Sequence, residues 1–159
     1  MGLKILHSAD WHLDSPFAGF DDSQRALLKQ EQLSIPGKTA QLCRREKCDL
    51  LLLAGDIFDN EYDAIRNPEK LEKTLRGIKS TYGVYACWGN HDLNEEILAG
   101  FTFKHKDGDL SDIKDPRMKK FLEDSNIHIL EDESVLINDQ FYVIGRKAVS
   151  YTHLTLPTT

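Results

Sequence analysis

The feature that most constrains this chain is the run Asp49–Ala54, DLLLLA, in which apolar residues follow one another without a polar interruption. A half-exposed strand or an amphipathic helix would break such a run. A strand buried on both faces, as in a parallel sheet, accommodates it. The flanking segments agree. Lys4–His7 reads as a short apolar strand ending in a polar loop from Ser8 to Ser15, and Gly83–Trp88 as a third strand. Between them, Ser23–Leu33 has helical spacing, and Pro36 restarts a helix at a first-turn position and carries it to Lys47. Asn67, with Pro68 behind it, caps a helix reaching Thr81. The βαβαβ order predicts a parallel sheet with helices over it.

The second half differs. Asp115-Pro116 opens a helix to about Ser125, followed by a short strand at Ile127–Leu130. Ser134–Ile137 and Phe141–Ile144 flank Asn138-Asp139, the sequence of a tight hairpin turn. Lys104–Lys114 reads as a surface loop. The net charge of −6 argues against a surface built mainly for nucleic acid, although a local basic strip or a partner chain can still hold a DNA backbone. No run approaches a membrane span, and the chain is expected to enter a strand at once, without a signal peptide. The three cysteines lack metal-finger spacing, and reduced thiols in the cytoplasm are the simplest reading.

Three polar clusters stand just beyond the three expected parallel strands: Asp10-Trp11-His12, Gly55-Asp56, and Gly89-Asn90-His91-Asp92. Sites in open α/β sheets form beyond the carboxyl ends of strands, so these loops should converge on one crevice. Taken alone, Asp10 or Asp56 would be a cap or turn residue and His91 a hydrogen-bonded loop histidine. Turn chemistry accounts poorly for such clusters at successive strand ends. Carboxylate, imidazole and amide oxygen suit hard and borderline divalent cations. Alternation along an extended Asp10-x-His12 segment would aim both side chains at one ion. Asp56, with two oxygens, can bridge two ions. Gly55 and Gly89 let the backbone come close.

The ordered pattern D-x-H, G-D, G-N-H-D across residues 5–92 resembles the calcineurin-like metallophosphoesterase signature. The resemblance implies an α/β fold of the metallophosphoesterase α/β-β/α sandwich type, truncated after the first sheet and part of the second. It implies that Asp10 and His12 bind the first metal, that Asp56 bridges both, and that Asn90 binds the second. His91 would contact the phosphate and protonate the leaving oxygen, with Asp92 orienting it or capping the next segment. The cofactors implied are two divalent metal ions, manganese first, with iron, zinc and magnesium as alternatives. Residues 6–17 and 43–59 look most like the D-subunit group of bacterial DNA-repair exonucleases. Residues 61–147 look more like a branch containing predicted membrane-tethered phosphoesterases. The implied activity is phosphodiester hydrolysis of the exonuclease kind, with DNA as substrate and an ATPase partner chain. The alternatives are a general metallophosphatase and a non-catalytic scaffold of the same fold.

Family members carry a later G-H and a G-H-x-H that supply three more histidine ligands, and neither motif occurs here. His105 and His128 lack the glycine context, and His7 at a strand end reads as structural. Trp11 and Phe17 read as core rather than as base-stacking platforms, Arg44-Arg45 as a solvated helix face, and Cys87 as a small hydrophobe under the site. The domain is expected to end near Ala148. Val149–Thr159, VSYTHLTLPTT, matches the translation of a sequencing-library transposon adapter. Amplifying the locus from source DNA is therefore expected to give a different reading frame after Ala148. Genomic codons for VSYTHLTLPTT would overturn that expectation.

Overall fold

The computed structural model describes residues 2–59, 62–89, 92, 97–98, 101–102 and 115–146. In chain order the first half comprises β1 (Ile5–Ala9), α1 (Asp22–Glu46), β2 (Leu50–Ala54), a 3-10 turn at Tyr62–Ala64, α2 (Pro68–Arg76) and β3 (Val84–Ala86). The second half comprises β4 (Ile97–Leu98), β5 (Phe101–Thr102), α3 (Pro116–Asp124), β6 (Ile127–Ile129), β7 (Glu133–Ile137) and β8 (Phe141–Gly145). Strands β1, β2, β3 and β6 form a parallel four-stranded sheet in that order. The expected mixed α/β class is thus observed, and the strand at Ile127 joins the sheet as its fourth member. The short pair β4–β5, too brief for any alternating pattern, was not anticipated.

The apolar run buries both faces of β2, as its composition requires. On one side Leu51 and Leu53 pack with Val84, Ala86, Ile127 and Ile129 against residues of all three helices, among them Cys43, Leu75 and Leu122. On the other, Leu50 and Leu52 pack with Tyr85 against Ile137 and Val143 of the β7–β8 hairpin. Ile137 pairs with Phe141, so the hairpin turns through Asn138, Asp139 and Gln140; Asn138 and Asp139 have positive φ (49° and 54°), and the Gln140 N–H donates to Ile137 O at 3.0 Å. The hairpin covers this second face only in part. A groove of about 140 Å³ remains between His7, Leu52, Tyr85 and Cys87 and the edge at Val143. The hairpin's far face is also apolar, with Tyr142 64% and Ile144 65% exposed.

Two expectations are corrected. Pro36 does not restart a helix; it lies inside one continuous 25-residue helix. A proline there forfeits a hydrogen bond and crowds the carbonyl four residues earlier, at about 3 kcal/mol. Its ring, however, belongs to the buried stripe Gln32, Pro36, Thr39, Ala40 and Cys43, and that packing carries the helix through. α2 ends at Arg76 rather than Thr81, because Gly77 caps it and Ile78 then turns into the core.

α3 begins as its sequence suggests. The Asp115 side chain accepts the Arg117 N–H at 3.0 Å and the Tyr62 N–H at 3.2 Å, and the Arg117 guanidinium bridges it to Asp63 at 2.8 Å. The Arg117 hydrogen bonds hold the buried Asp115 carboxyl down at about 2. A carboxyl lowered on folding contributes stability that is present above its unfolded value near 4 and lost as pH falls through 2. Asp115→Ala should thus lower stability at pH 6 by about 1 kcal/mol, the usual worth of a helix cap. The deficit should shrink toward pH 2. Urea midpoints at both pH values check this.

Candidate metal centre

The loops after β1 and β2 do not part at the strand ends. Asp10 N–H donates to Ala54 O at 3.0 Å, His12 N–H to Asp56 O at 3.0 Å, and Leu13 N–H to Ile57 O at 2.9 Å. The Asp59 N–H returns to Leu13 O at 3.0 Å. Pairing continues because Asp10, His12 and Asp14 take left-handed conformations, with φ of 50°, 46° and 65°. Asp and His tolerate this region better than most residues. The expectation of an extended Asp10-x-His12 segment is therefore corrected. The kinks still alternate the side chains, so that Trp11 and Leu13 are buried while Asp10 and His12 face outward.

As a result, one ligand atom from each of Asp10, His12 and Asp56 lies within 4.8 Å of the others. His12 Nε2 is 3.9 Å from Asp56 Oδ2. Two ligands of one ion, each bonded at about 2.0–2.2 Å, stand no more than roughly 4.4 Å apart, so this spacing fits a shared cation better than a direct hydrogen bond. Both glycines make room for the carboxylates. A Cβ on Gly55, whose φ is +76°, would lie 2.1 Å from Asp10 Oδ1, and one on Gly89 would lie 1.9 Å from Asp56 Oδ1. Two carboxylates and an imidazole in a cradle that any side chain would fill form a donor set suited to a divalent cation.

His12 is gripped on several sides. Its carbonyl accepts the Gln32 side-chain N–H, and its Nδ1 meets Asp59 Oδ1 at 2.5 Å. Burial pulls the imidazole down. The Asp59 hydrogen bond and the charges of Asp59, Asp56 and Asp10 outweigh it and set the group above its ordinary value. Asp59 was overlooked in the sequence, where only its place three residues after Asp56 marks it out.

Asp92 is buried and accepts backbone N–H groups from Ile57 and Phe58 at 3.1 Å each and from Gly89 at 3.0 Å. It thereby ties the segment after β2 to the one after β3. Burial pushes its carboxyl up to about 6, against the pull of those donors. Asn90 and His91 lie outside the described residues, as do His105, the Lys104–Lys114 loop and the tail from Val149.

Of the secondary candidates, Trp11 lies in the core as expected, whereas Phe17 does not: it is only half-buried and lies outside the core. Trp11 is buried and donates to Ser8 Oγ at 2.8 Å. Phe17 packs edge-on against Phe20, His128 stacks on Tyr85, and Arg44 and Arg45 are exposed on α1. Cys87 is half-buried beside the groove. Among the described residues no helix is long and apolar enough to cross a membrane.

Curated relatives align along most of the chain. An uncharacterized metallophosphoesterase, YhaO, of Bacillus subtilis is 28% identical over 152 residues, covering 93% of this chain and 32% of the relative. The D-subunit of the nuclease SbcCD of Staphylococcus saprophyticus is 27% identical over 158 residues, covering 95% and 39%. Its counterpart in Staphylococcus epidermidis is 31% identical over 100 residues, covering 62% and 25%. The chain thus spans between a quarter and two fifths of the length of these relatives. The calcineurin-like phosphoesterase family matches residues 3–148, a span that includes all three loops and the elements that carry them, and to that family the chain belongs.

Proposed function

We propose that the complete protein hydrolyses phosphate esters with a two-metal site, as a nuclease-type phosphodiesterase acting on DNA beside an ATPase partner chain. The observation that carries this reading is the grouping of Asp10, His12 and Asp56 within 4.8 Å. Two relatives named as nuclease subunits support the choice of substrate. Asp10 and His12 would hold one divalent cation, with manganese the first candidate, and Asp56 would offer its second oxygen to another. Asn90 would complete that second set with a neutral oxygen. Its role is supported by the contact between Gly89, the residue before it, and Asp56. When bound, the cations would make water a stronger nucleophile and neutralise charge developing on the phosphoryl oxygens. His91 would hold the phosphate and give a proton to the leaving oxygen, a role suited to a group that titrates near neutral pH. Asp92 would keep these loops in register through the backbone. Residues 1–148 would form the domain portion present and 149–159 would stand outside it, in keeping with a family match that ends at residue 148.

The test compares purified complete protein, residues 1–148, and variants on bis(p-nitrophenyl) phosphate and on linear DNA with manganese. Activity is expected from the complete protein. Residues 1–148 should show little, because this reading assigns only Asp56 and Asn90 to the second cation. His91→Ala should cost about 10²–10⁴-fold in kcat, the usual range for a proton-transfer group, and Asp56→Ala should abolish turnover. Gly89→Ala should weaken manganese binding about 10–100-fold by displacing Asp56. Preference for a phosphate monoester over both diesters would favour a general phosphatase. A manganese-loaded but inactive complete protein would favour a scaffold.

A further inference from the structure

We propose that Asp59 is a positioning residue that fixes the tautomer and the ring angle of His12, so that Nε2 is presented to the cation as a ligand. The inference rests on the metal-centre reading above. Asp59 Oδ1 lies 2.5 Å from His12 Nδ1. An ionised carboxylate only accepts, so the proton between them sits on Nδ1. In the neutral imidazole this leaves the lone pair on Nε2, the atom 3.9 Å from Asp56 Oδ2.

The backbone makes this contact structural rather than incidental. The Asp59 N–H is bonded to Leu13 O, one residue beyond His12, and Leu13 and Phe58 pair as a parallel bridge. Leu13 and Phe58 are 0% and 2% exposed, so both chains are anchored where the contact forms. The Asp59 side chain is 18% exposed against 39% for His12, which places the carboxylate on the inner side of the ring. His12 itself cannot slide, since its N–H is held by Asp56 O and its carbonyl by Gln32. The contact with Asp59 restrains rotation about the His12 side-chain bonds. A carboxylate holding the far nitrogen of a metal-ligating histidine fixes ring orientation and raises ligand basicity, and its loss usually weakens metal affinity 10–100-fold.

The experiment uses the complete protein and reads manganese binding by titration calorimetry and by the electron paramagnetic resonance of free Mn2+. Asp59→Ala should weaken binding about 10–100-fold. Asp59→Asn should fall between it and the wild type, because an amide can present either its oxygen or its N–H to Nδ1 and so no longer dictates the tautomer. Asp59→Glu, with the same charge and longer reach, should recover part of the loss. In a His12→Ala background, Asp59→Ala should have no further effect on affinity. Nitrogen-15 chemical shifts of His12 should report a proton on Nδ1 in the wild type and a mixture in Asp59→Asn. Urea midpoints establish that each variant is folded, and Asp59→Asn, close in size, serves if Asp59→Ala does not fold. Unchanged manganese affinity in the folded variants, even with a lowered kcat, would overturn the proposal, as would additive losses in the His12→Ala background. A wild-type protein that binds no manganese would bring down the metal-centre reading and this one with it.

Discussion

The hydrogen bonding that continues past the ends of β1 and β2 is the constraint on which the site depends. Parallel strands bring loops to the same edge of a sheet but do not fix their side chains. Here Asp10, His12 and Leu13 donate in turn to Ala54, Asp56 and Ile57, so the two loops advance in register. The cost lies in three non-glycine residues with left-handed backbones, at about 1–2 kcal/mol each. Between the kinks, Trp11 and Leu13 are driven into the core, and burying a large apolar side chain contributes about 1.5–3 kcal/mol. The two quantities are of the same order. The kinked segment is therefore held by packing below it, while its polar residues remain turned to the crevice.

A second tie brings in the loop after β3. Asp92 places a buried carboxylate between Ile57, Phe58 and Gly89 and takes a backbone N–H from each. A buried charge is tolerable only when it is well hydrogen-bonded. The same bonds stop the loop after β3 from drifting away from Asp56. Gly89 sets the closest approach, because any Cβ there would collide with the Asp56 carboxylate and its backbone nitrogen. Attraction through Asp92 and the absence of a side chain at Gly89 together define how near the third loop comes.

Much of this was legible in the residues, and the exceptions have physical causes. DLLLLA announced a doubly buried strand because a half-exposed strand or an amphipathic helix would break its five consecutive apolar positions, Leu50 to Ala54. Asn67-Pro68 and Asp115-Pro116 announced helix starts, and Asn138-Asp139 the hairpin, because each rests on local backbone chemistry. Pro36 misled because local propensity counts the lost hydrogen bond but not the buried stripe that offsets it. The D-x-H spacing gave the right grouping through the wrong backbone, since alternation alone does not distinguish an extended segment from one kinked at every second residue. Asp59 escaped notice because its partner is 47 positions away and the contact exists only after the loops pair.

The charge arrangement explains why the crevice should favour a cation before any phosphate. Asp10, Asp56 and Asp59 all act on the one imidazole of His12, and Asp56 also acts on the buried Asp92. Like charges a few ångströms apart in a partly buried setting repel by several kcal/mol. Even a protonated His12 imidazole would offset only one negative charge. A phosphate diester arriving at such a site would meet the same repulsion that the carboxylates exert on one another. Divalent cations would reverse the sign of the local field, and the carboxylates that would hold them are already positioned by backbone pairing and by Asp92. In the proposed function binding would therefore be ordered by electrostatics: the carboxylates would recruit cations first, and only the compensated site would accept an anionic ester.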